Sequence, residues 1–190
     1  MGFQGFKYLN IHKSNKDFAA WLLSKFDPIH CTLLSGTRSE IKLTELDVNF
    51  ILGIPCEGKP IVLATHQEVV TMKKYICNVF GKESFEQITL PFLTGILYKK
   101  PDCPMSVVEV TKFKTALIMV LVTIFLAPVS LNSHISTRYM TALVDIENVQ
   151  NYNWAKFVID VLKVAADSLH NKLKNGKTVG YINGCIILLQ

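Results

Sequence analysis

Four residues near the end of the chain, Asn175-Gly176-Lys177-Thr178, have the types that a phosphate-binding loop uses. Such a loop places another glycine five residues before the glycine of its Gly-Lys-Thr sequence, so that backbone N–H groups can surround the phosphates. Here residue 171 is asparagine, and a helical pattern rather than a strand precedes the segment. We therefore interpret Gly176 as the C-terminal cap of a helix, followed by a turn.

Cys185 and His170 are the residue types of a thiol–imidazole pair, in which the imidazole activates a nucleophilic thiolate. Cys185, however, lies in an apolar segment, where a buried and unreactive thiol is the ordinary occupant. The five cysteines are widely spaced without a Cys-x-x-Cys pair, and the five histidines are scattered. We expect reduced thiols in an intracellular protein, with no catalytic residue, no metal site and no cofactor.

Four carboxylates in the C-terminal third are of the type that performs acid–base or metal-dependent nuclease chemistry. That chemistry needs the carboxylates to converge on one point. On the helices that the surrounding sequence predicts, they would instead lie on different faces. We interpret them as solvated or helix-capping residues, and we expect that the protein is not an enzyme. They are Asp145, Glu147, Asp160 and Asp167.

Lys172, Lys174 and Lys177 cluster where the last long helix is predicted to end, and cations suit that position because of the helix dipole. The alternative is a phosphate-contacting patch, in a chain whose formal net charge is +5. Only Arg38 and Arg138 are arginines among the 20 basic residues. Direct base reading relies on the bidentate arginine fork, so this composition disfavours sequence-specific DNA recognition and leaves nonspecific phosphate attraction open.

An apolar stretch, Phe113–Pro128, must lie at the centre of the element arrangement. From Ala116 to Ala127 only Thr123 interrupts the apolar residues, so a helix here would be apolar on every side and must be surrounded. A membrane span needs about 20 apolar residues, and shorter runs are more often buried core helices. We predict a core helix; a peripheral or re-entrant membrane segment is the alternative.

Amphipathic helices are predicted on both sides of this stretch. A first helix places Phe18 and Trp21 on one face, and a second, opened by a capping sequence at Thr44, places Leu46 and Phe50 on its buried side. A long helix near the C-terminus carries an apolar stripe opposite a charged face. The core residues that these patterns predict include Trp21, Phe50, Val120, Phe125, Trp154 and Phe157.

The predicted fold is mainly α: a helical bundle around a central apolar helix of about residues 106–127, with one small β-hairpin at about residues 32–43. We expect a single domain over residues 1–190, because this length suits one core and the sequence contains no repeat. The last apolar segment reaches Gln190 without a helix-ending signal. That pattern indicates either a chain shortened within an element or an end that packs on a partner.

Six segments of the chain follow one another in a familiar order. They are GFQGF, DFAAWLLSKFD, IKLTELDVNFILGIPCEGKPI, the apolar helix ending in FLAP, DIENVQNYNWAKFVIDVL and GYINGCIILLQ. Together, over about residues 3–190, they resemble the plant mobile domain, also called the aminotransferase-like plant mobile domain. These segments are patterns of core residues and turns, and none is a catalytic motif.

The resemblance implies a non-catalytic interaction domain of transposon ancestry, located in the nucleus and acting in transposon silencing or genome integrity through a protein partner. Chains of that family usually continue beyond the last segment, which implies a shortened copy here. Two alternatives remain open: a nucleic-acid-binding module that uses the Lys172, Lys174 and Lys177 patch, or a decayed transposon fragment without activity of its own.

Overall fold

The computed structural model describes residues 1–8, 15–35, 39–100, 104–128, 135 and 139–190. Within them the chain is mainly α-helical, as predicted. The α-helices are α1 (Lys16–Ser24), α2 (Glu45–Leu52), α3 (His66–Phe80), α4 (Leu90–Tyr98), α5 (Val107–Leu121), α6 (Met140–Leu143) and α7 (Trp154–Lys174). The strands are β1 (Phe26–Asp27), β2 (Thr32–Ser35), β3 (Ser39–Lys42), β4 (Lys59–Pro60) and β5 (Tyr152–Asn153). Short 3₁₀ helices lie at Gln4–Lys7, Phe85–Gln87, Ile146–Asn151 and Ile186–Leu189.

Reciprocal side-chain caps fix the starts of three helices. At each, an N-cap hydroxyl accepts the N–H of the third helical residue, whose carboxylate accepts the N–H of the N-cap. Each cap satisfies two N–H groups that a helix start otherwise leaves unpaired. The pairs are Thr44 with Asp47 at α2, Thr65 with Glu68 at α3, and Ser106 with Glu109 at α5.

The apolar stretch forms α5 and a π-helical turn, Val122–Leu126, that continues it. It packs against α3 and α4, and Val120 is only 7% exposed. Phe125 is half-buried, and its ring packs edge-to-face on Phe6 with centroids 5.1 Å apart. Among the described residues, no helix combines the length and the apolarity needed to cross a membrane. The burial of this stretch against α3, α4 and Phe6 confirms the expected core helix.

Helix α7 shares the centre of the fold with α5. It packs against α1, α2, β1 and β4, and its apolar stripe faces inward as predicted. Trp154 is completely buried, its indole Nε1–H donates to the carbonyl of Val149 at 2.8 Å, and Phe3 and Phe157 meet it edge-on. Such edge-to-face aromatic contacts add about 0.5–1.5 kcal/mol beyond burial. The aromatic cluster thus attaches the N-terminal segment to α7.

The predicted hairpin is present as antiparallel β2 and β3, with Leu33 opposite Ile41. The residues of its connection, 36–38, lie outside the described residues. A third strand, β1, pairs with β2 on the other side, giving the order β1-β2-β3. Helix α1 ends at Ser24, and Phe26 begins the sheet.

Two of the predicted core residues lie at the surface, and the corresponding predictions were wrong. Trp21 is 54% exposed because α1 buries a different face, formed by Ala19, Leu22 and Leu23. Phe50 is 91% exposed because α2 is anchored by Val48 and Leu52 instead. In both helices the buried residues recur at the required i, i+3 or i, i+4 spacing, so the apolar residues outside that register have to face solvent. The buried residues Val120, Trp154 and Phe157 lie in the expected places.

Candidate functional site

The thiol–imidazole candidates have separate structural roles. Cys185 is buried, and burial raises the pKa of its thiol to about 12, so the reactive thiolate is suppressed. His170 Nε2 lies 3.2 Å from the carbonyl oxygen of Ser24, which links α7 to the end of α1. Within the described part of the chain, no hydrogen bond joins Cys185 to His170. The geometry fits a core thiol and a structural histidine.

The Gly-Lys-Thr segment is a helix cap, as its sequence context predicts. Gly176 has a φ of +62°, the N–H of Lys177 donates to the carbonyl of Lys172 at 2.9 Å, and the N–H of Gly176 donates to that of Leu173 at 3.1 Å. This pair of bonds is the Schellman arrangement that ends many helices. It also brings the main chains of Lys172 and Lys177 together. Lys174 and Lys177 are exposed and Lys172 is half-buried, so the three lysines lie around one helix end.

Three of the four acidic candidates have ordinary partners. Glu147 pairs with Lys114, Asp160 Oδ2 lies 3.3 Å from Lys156 Nζ, and Asp145 accepts a hydrogen bond from the side chain of Asn148. Asp167 lies exposed on α7. In the described ranges, no three His, Cys, Asp or Glu side chains come close enough together to hold a metal ion.

Helix α2 presents the most exposed apolar face that the described residues show on one helix. Leu46 is 70% exposed and Phe50 lies one turn further along the same face. Their positions are fixed from two sides. The Thr44–Asp47 cap sets the start of α2. Gly53, which has a φ of +62°, ends the helix, and its N–H donates to the backbone carbonyl of Asn49 at 2.7 Å. We call Leu46 and Phe50 the α2 face.

A second apolar pair lies on α1. The rings of Phe18 and Trp21 stack with centroids 5.9 Å apart, and both are about half exposed. Asn15 caps this helix by accepting the N–H of Asp17 at 2.8 Å. Because the two rings cover each other, this pair leaves less free apolar surface than the α2 face.

An open groove lies where the end of β3, the start of α2 and the middle of α7 meet. Its volume is about 390 Å³. Its apolar part comes from Leu43, Leu46 and Ile159, and its charged groups include three lysines and two carboxylates. We call it the β3–α7 groove. The residues lining it are His30, Cys31, Lys42, Leu43, Thr44, Glu45, Leu46, Lys156, Ile159, Asp160 and Lys163.

These features define a mainly α-helical domain whose described surface combines an exposed apolar helix face with a charged groove beside a small sheet. The chain belongs to the family described as a domain of unknown function, DUF8566, whose family model matches residues 1–190. Neither a curated protein nor a solved structure matches the chain. The resemblance to the plant mobile domain stays a prediction.

Proposed function

We propose that this chain is a non-catalytic interaction domain that binds a partner protein through the α2 face. The observation that carries the proposal is the exposure of Leu46 and Phe50 on a helix whose other side is anchored in the core by Val48 and Leu52. The helix needs only that buried side for its own stability. The outward leucine and phenylalanine are therefore available to a partner.

The energetics favour a protein as the ligand of this face. Transferring one leucine or phenylalanine side chain from water to an apolar contact contributes about 1.5–3 kcal/mol. Aromatic anchors surrounded by polar residues carry much of the binding energy in protein interfaces. Phe50 has that setting, because Asp47 and Asn49 precede it on the same short helix. Both neighbours are held in place, Asp47 by the N-terminal cap and Asn49 by a bond from its amide to the carbonyl of Ile54 at 2.7 Å.

The cellular setting in this proposal comes from the resemblance to the plant mobile domain. That resemblance supports a transposon ancestry and a nuclear role in transposon silencing or genome integrity. Two features are compatible with a role that does not depend on catalysis: the suppressed thiolate of Cys185 and the pairing of Glu147 and Asp160 with lysines. The partner would then belong to the nuclear machinery that acts on repeated DNA.

Site-specific photo-crosslinking tests the proposal. We expect a chain carrying p-benzoylphenylalanine in place of Phe50 to crosslink to a discrete protein in plant nuclear extract. Val70 on α3 is a suitable control position, since it is an apolar residue that is 51% exposed and lies on a different helix. The protein identified at position 50 should then bind the purified chain directly. This binding should weaken at least about tenfold for Leu46→Ser and Phe50→Ser, because each removes an apolar anchor.

Three results would contradict the proposal. Equal crosslinking at positions 50 and 70 would show nonspecific stickiness, and crosslinks only between two copies of the chain would show self-association. A chain that forms no crosslink at position 50, yet binds duplex DNA with an affinity that falls steeply with salt, would favour the lysine patch instead. That binding should then be lost in the Lys174→Glu, Lys177→Glu double variant.

A further inference from the structure

The outer edge of β3 has backbone groups that the sheet does not use. The N–H of Leu43 donates to the carbonyl of Cys31 at 2.8 Å, which identifies residues 31 and 43 as a hydrogen-bonded pair of the ladder. Such pairs alternate with non-bonded pairs in an antiparallel ladder. Glu40 and Lys42 are therefore in non-bonded pairs, and their N–H and C=O groups point away from β2. Leu34 lies opposite Glu40, and its N–H donates to the carbonyl of Lys25 on the β1 side of β2. This bond is consistent with the assignment of Leu34 and Glu40 as a non-bonded pair.

This edge is open as far as the structure describes its surroundings. The sheet order β1-β2-β3 places β3 at its margin, and all four residues of β3 are exposed. No main-chain hydrogen bond reaches Glu40 or Lys42 from the described residues beyond the sheet. An exposed strand edge of this kind is a template for an additional strand.

The edge leads directly into the β3–α7 groove, since Lys42 belongs to both. The groove has apolar surface from Leu43, Leu46 and Ile159, so it can accept an aliphatic side chain. A volume of about 390 Å³ lies within the range of about 300–1,000 Å³ that is typical of ligand sites. An extended segment that pairs with β3 would thus place its next residues over this surface.

The charges of the groove favour an acidic occupant. Both carboxylates already have partners: Asp160 pairs with Lys156 at 3.3 Å, and Glu45 accepts a hydrogen bond from the side chain of Asn153 at 2.6 Å. Lys42 and Lys163 have no ion pair within the described part of the chain. Lys163 is half-buried, which strengthens its attraction for an anion relative to a fully solvated lysine. The groove therefore offers two free cations beside an apolar surface.

We propose that the β3 edge and the β3–α7 groove bind an extended acidic segment of the partner protein, which adds a strand to β3 and places acidic side chains against Lys42 and Lys163. This inference rests on the proposed function and specifies the chemistry of the partner. Backbone pairing with Glu40 and Lys42 supplies affinity, and the groove supplies specificity, as in other cases of strand addition. A nucleic acid fits the site less well, because its sugar–phosphate backbone cannot pair with a strand edge and because the surface of the groove is partly apolar.

A synthetic peptide provides the test with the full-length chain. The probe is a fluorescein-labelled peptide, Thr-Val-Thr-Val-Asp-Leu-Asp-Asp, and its counterpart has lysine in place of the three aspartates. Fluorescence anisotropy should show binding of the acidic peptide only. The Lys42→Glu, Lys163→Glu double variant should bind it about tenfold more weakly or worse, since two attractive contacts become repulsive. The matched control is Lys16→Glu with Lys74→Glu, which changes the net charge equally at exposed sites on α1 and α3 and should leave the affinity unchanged.

Backbone methylation separates strand addition from simple charge attraction. In a strand, the N–H groups of every second residue point to the same side. One peptide is N-methylated at its even-numbered residues and a second at its odd-numbered residues. Only the peptide whose methyl groups face β3 should lose binding. Equal behaviour of both methylated peptides would overturn strand addition. Equal affinity for the groove and control variants would overturn the site, as would displacement of the acidic peptide by duplex DNA. Should the peptide fail to bind while crosslinks persist at position 50, this inference falls and the proposed function stands; loss of those crosslinks would overturn the proposed function itself.

Discussion

Asp27 and His30 stabilise the tight connection between β1 and β2. One carboxylate oxygen of Asp27 accepts the N–H groups of Ile29 and His30, at 2.7 and 3.3 Å, and the other lies 2.7 Å from His30 Nδ1. Cys31 then takes a φ of +56°, which is uncommon for a residue other than glycine. This set of bonds to one side chain keeps the turn in that conformation, and the same turn forms one end of the β3–α7 groove.

The first prediction concerns the charge state of this pair. The Asp27 side chain raises the pKa of His30 above its usual value of about 6.5, and the bonds to His30 and Ile29 lower the pKa of Asp27. The stabilisation from His30 is therefore fully present below about pH 6.5 and is lost as the pH rises through its higher folded pKa. The stabilisation from Asp27 is lost only as the pH falls through its own lowered pKa.

An NMR titration of the His30 ring should show a midpoint above the usual histidine value, and Asp27→Asn should return it close to that value. Glu40→Gln is the matched control: Glu40 raises the pKa of His30 only through a weaker charge interaction, so its removal should change the midpoint less. An Asp27→Asn midpoint equal to that of the unmodified chain would show that the pair does not persist in solution.

Helix α2 shows at the scale of an element what the sequence could and could not predict. Its start and end follow from local chemistry, a Thr-x-x-Asp cap and a glycine, and the sequence identifies both. The orientation of α2 does not follow from local chemistry. The sequence contains two apolar pairs at i, i+4 spacing, Leu46 with Phe50 and Val48 with Leu52, and either pair could face the core. Only packing against α7 decides which pair is buried. The candidate site was therefore missed for the same reason that Phe50 was predicted in the core.

The end of α2 also carries a prediction about backbone packing. A Cβ added to Gly53 would lie 2.6 Å from the Cα of Gly5, because the N-terminal 3₁₀ helix contacts the end of α2 backbone to backbone. Gly81, which ends α3 with a similar φ of +65°, has open space around the same position. The two glycines thus share the conformational requirement and differ only in crowding.

Urea unfolding followed by circular dichroism should separate these two effects. Gly81→Ala should lower the free energy of unfolding by about 1–2 kcal/mol, the cost of a left-handed conformation for a residue with a Cβ. Gly53→Ala should lower it by a further 1–3 kcal/mol or so, because overpacking is added to the same strain. Equal losses for the two variants would mean that the N-terminal segment does not rest on α2 in solution.

At the scale of the whole molecule, contacts between distant segments join the two central helices. The N–H of Gly184 donates to the carbonyl of Pro128 at 3.2 Å, so the end of the apolar stretch meets the C-terminal segment. Gly184 also packs closely on Leu162 and Ala165 of α7. The presence of α5 and α7 could be predicted from their length and apolar pattern. The contact between Pro128 and Gly184 could not be predicted from the sequence, because hydrophobic periodicity identifies which face of a helix is buried but not which segment covers it.

The last prediction tests whether the apolar stretch is enclosed on the side that the fold requires. Val120 is buried in α5, whereas Ile124, one turn further along the same stretch, is 55% exposed. Val120→Asp places an unpaired carboxylate in the core and should cost about 5 kcal/mol or more, enough to unfold a domain at the lower end of the usual stability range of about 5–15 kcal/mol. Ile124→Asp introduces the same charge at the surface and should change the free energy of unfolding by less than about 1 kcal/mol. Thermal unfolding followed by circular dichroism measures both variants. If Val120→Asp remained folded and as stable as Ile124→Asp, the stretch would be open to solvent or to a partner, and α5 would not be the core helix around which this domain folds.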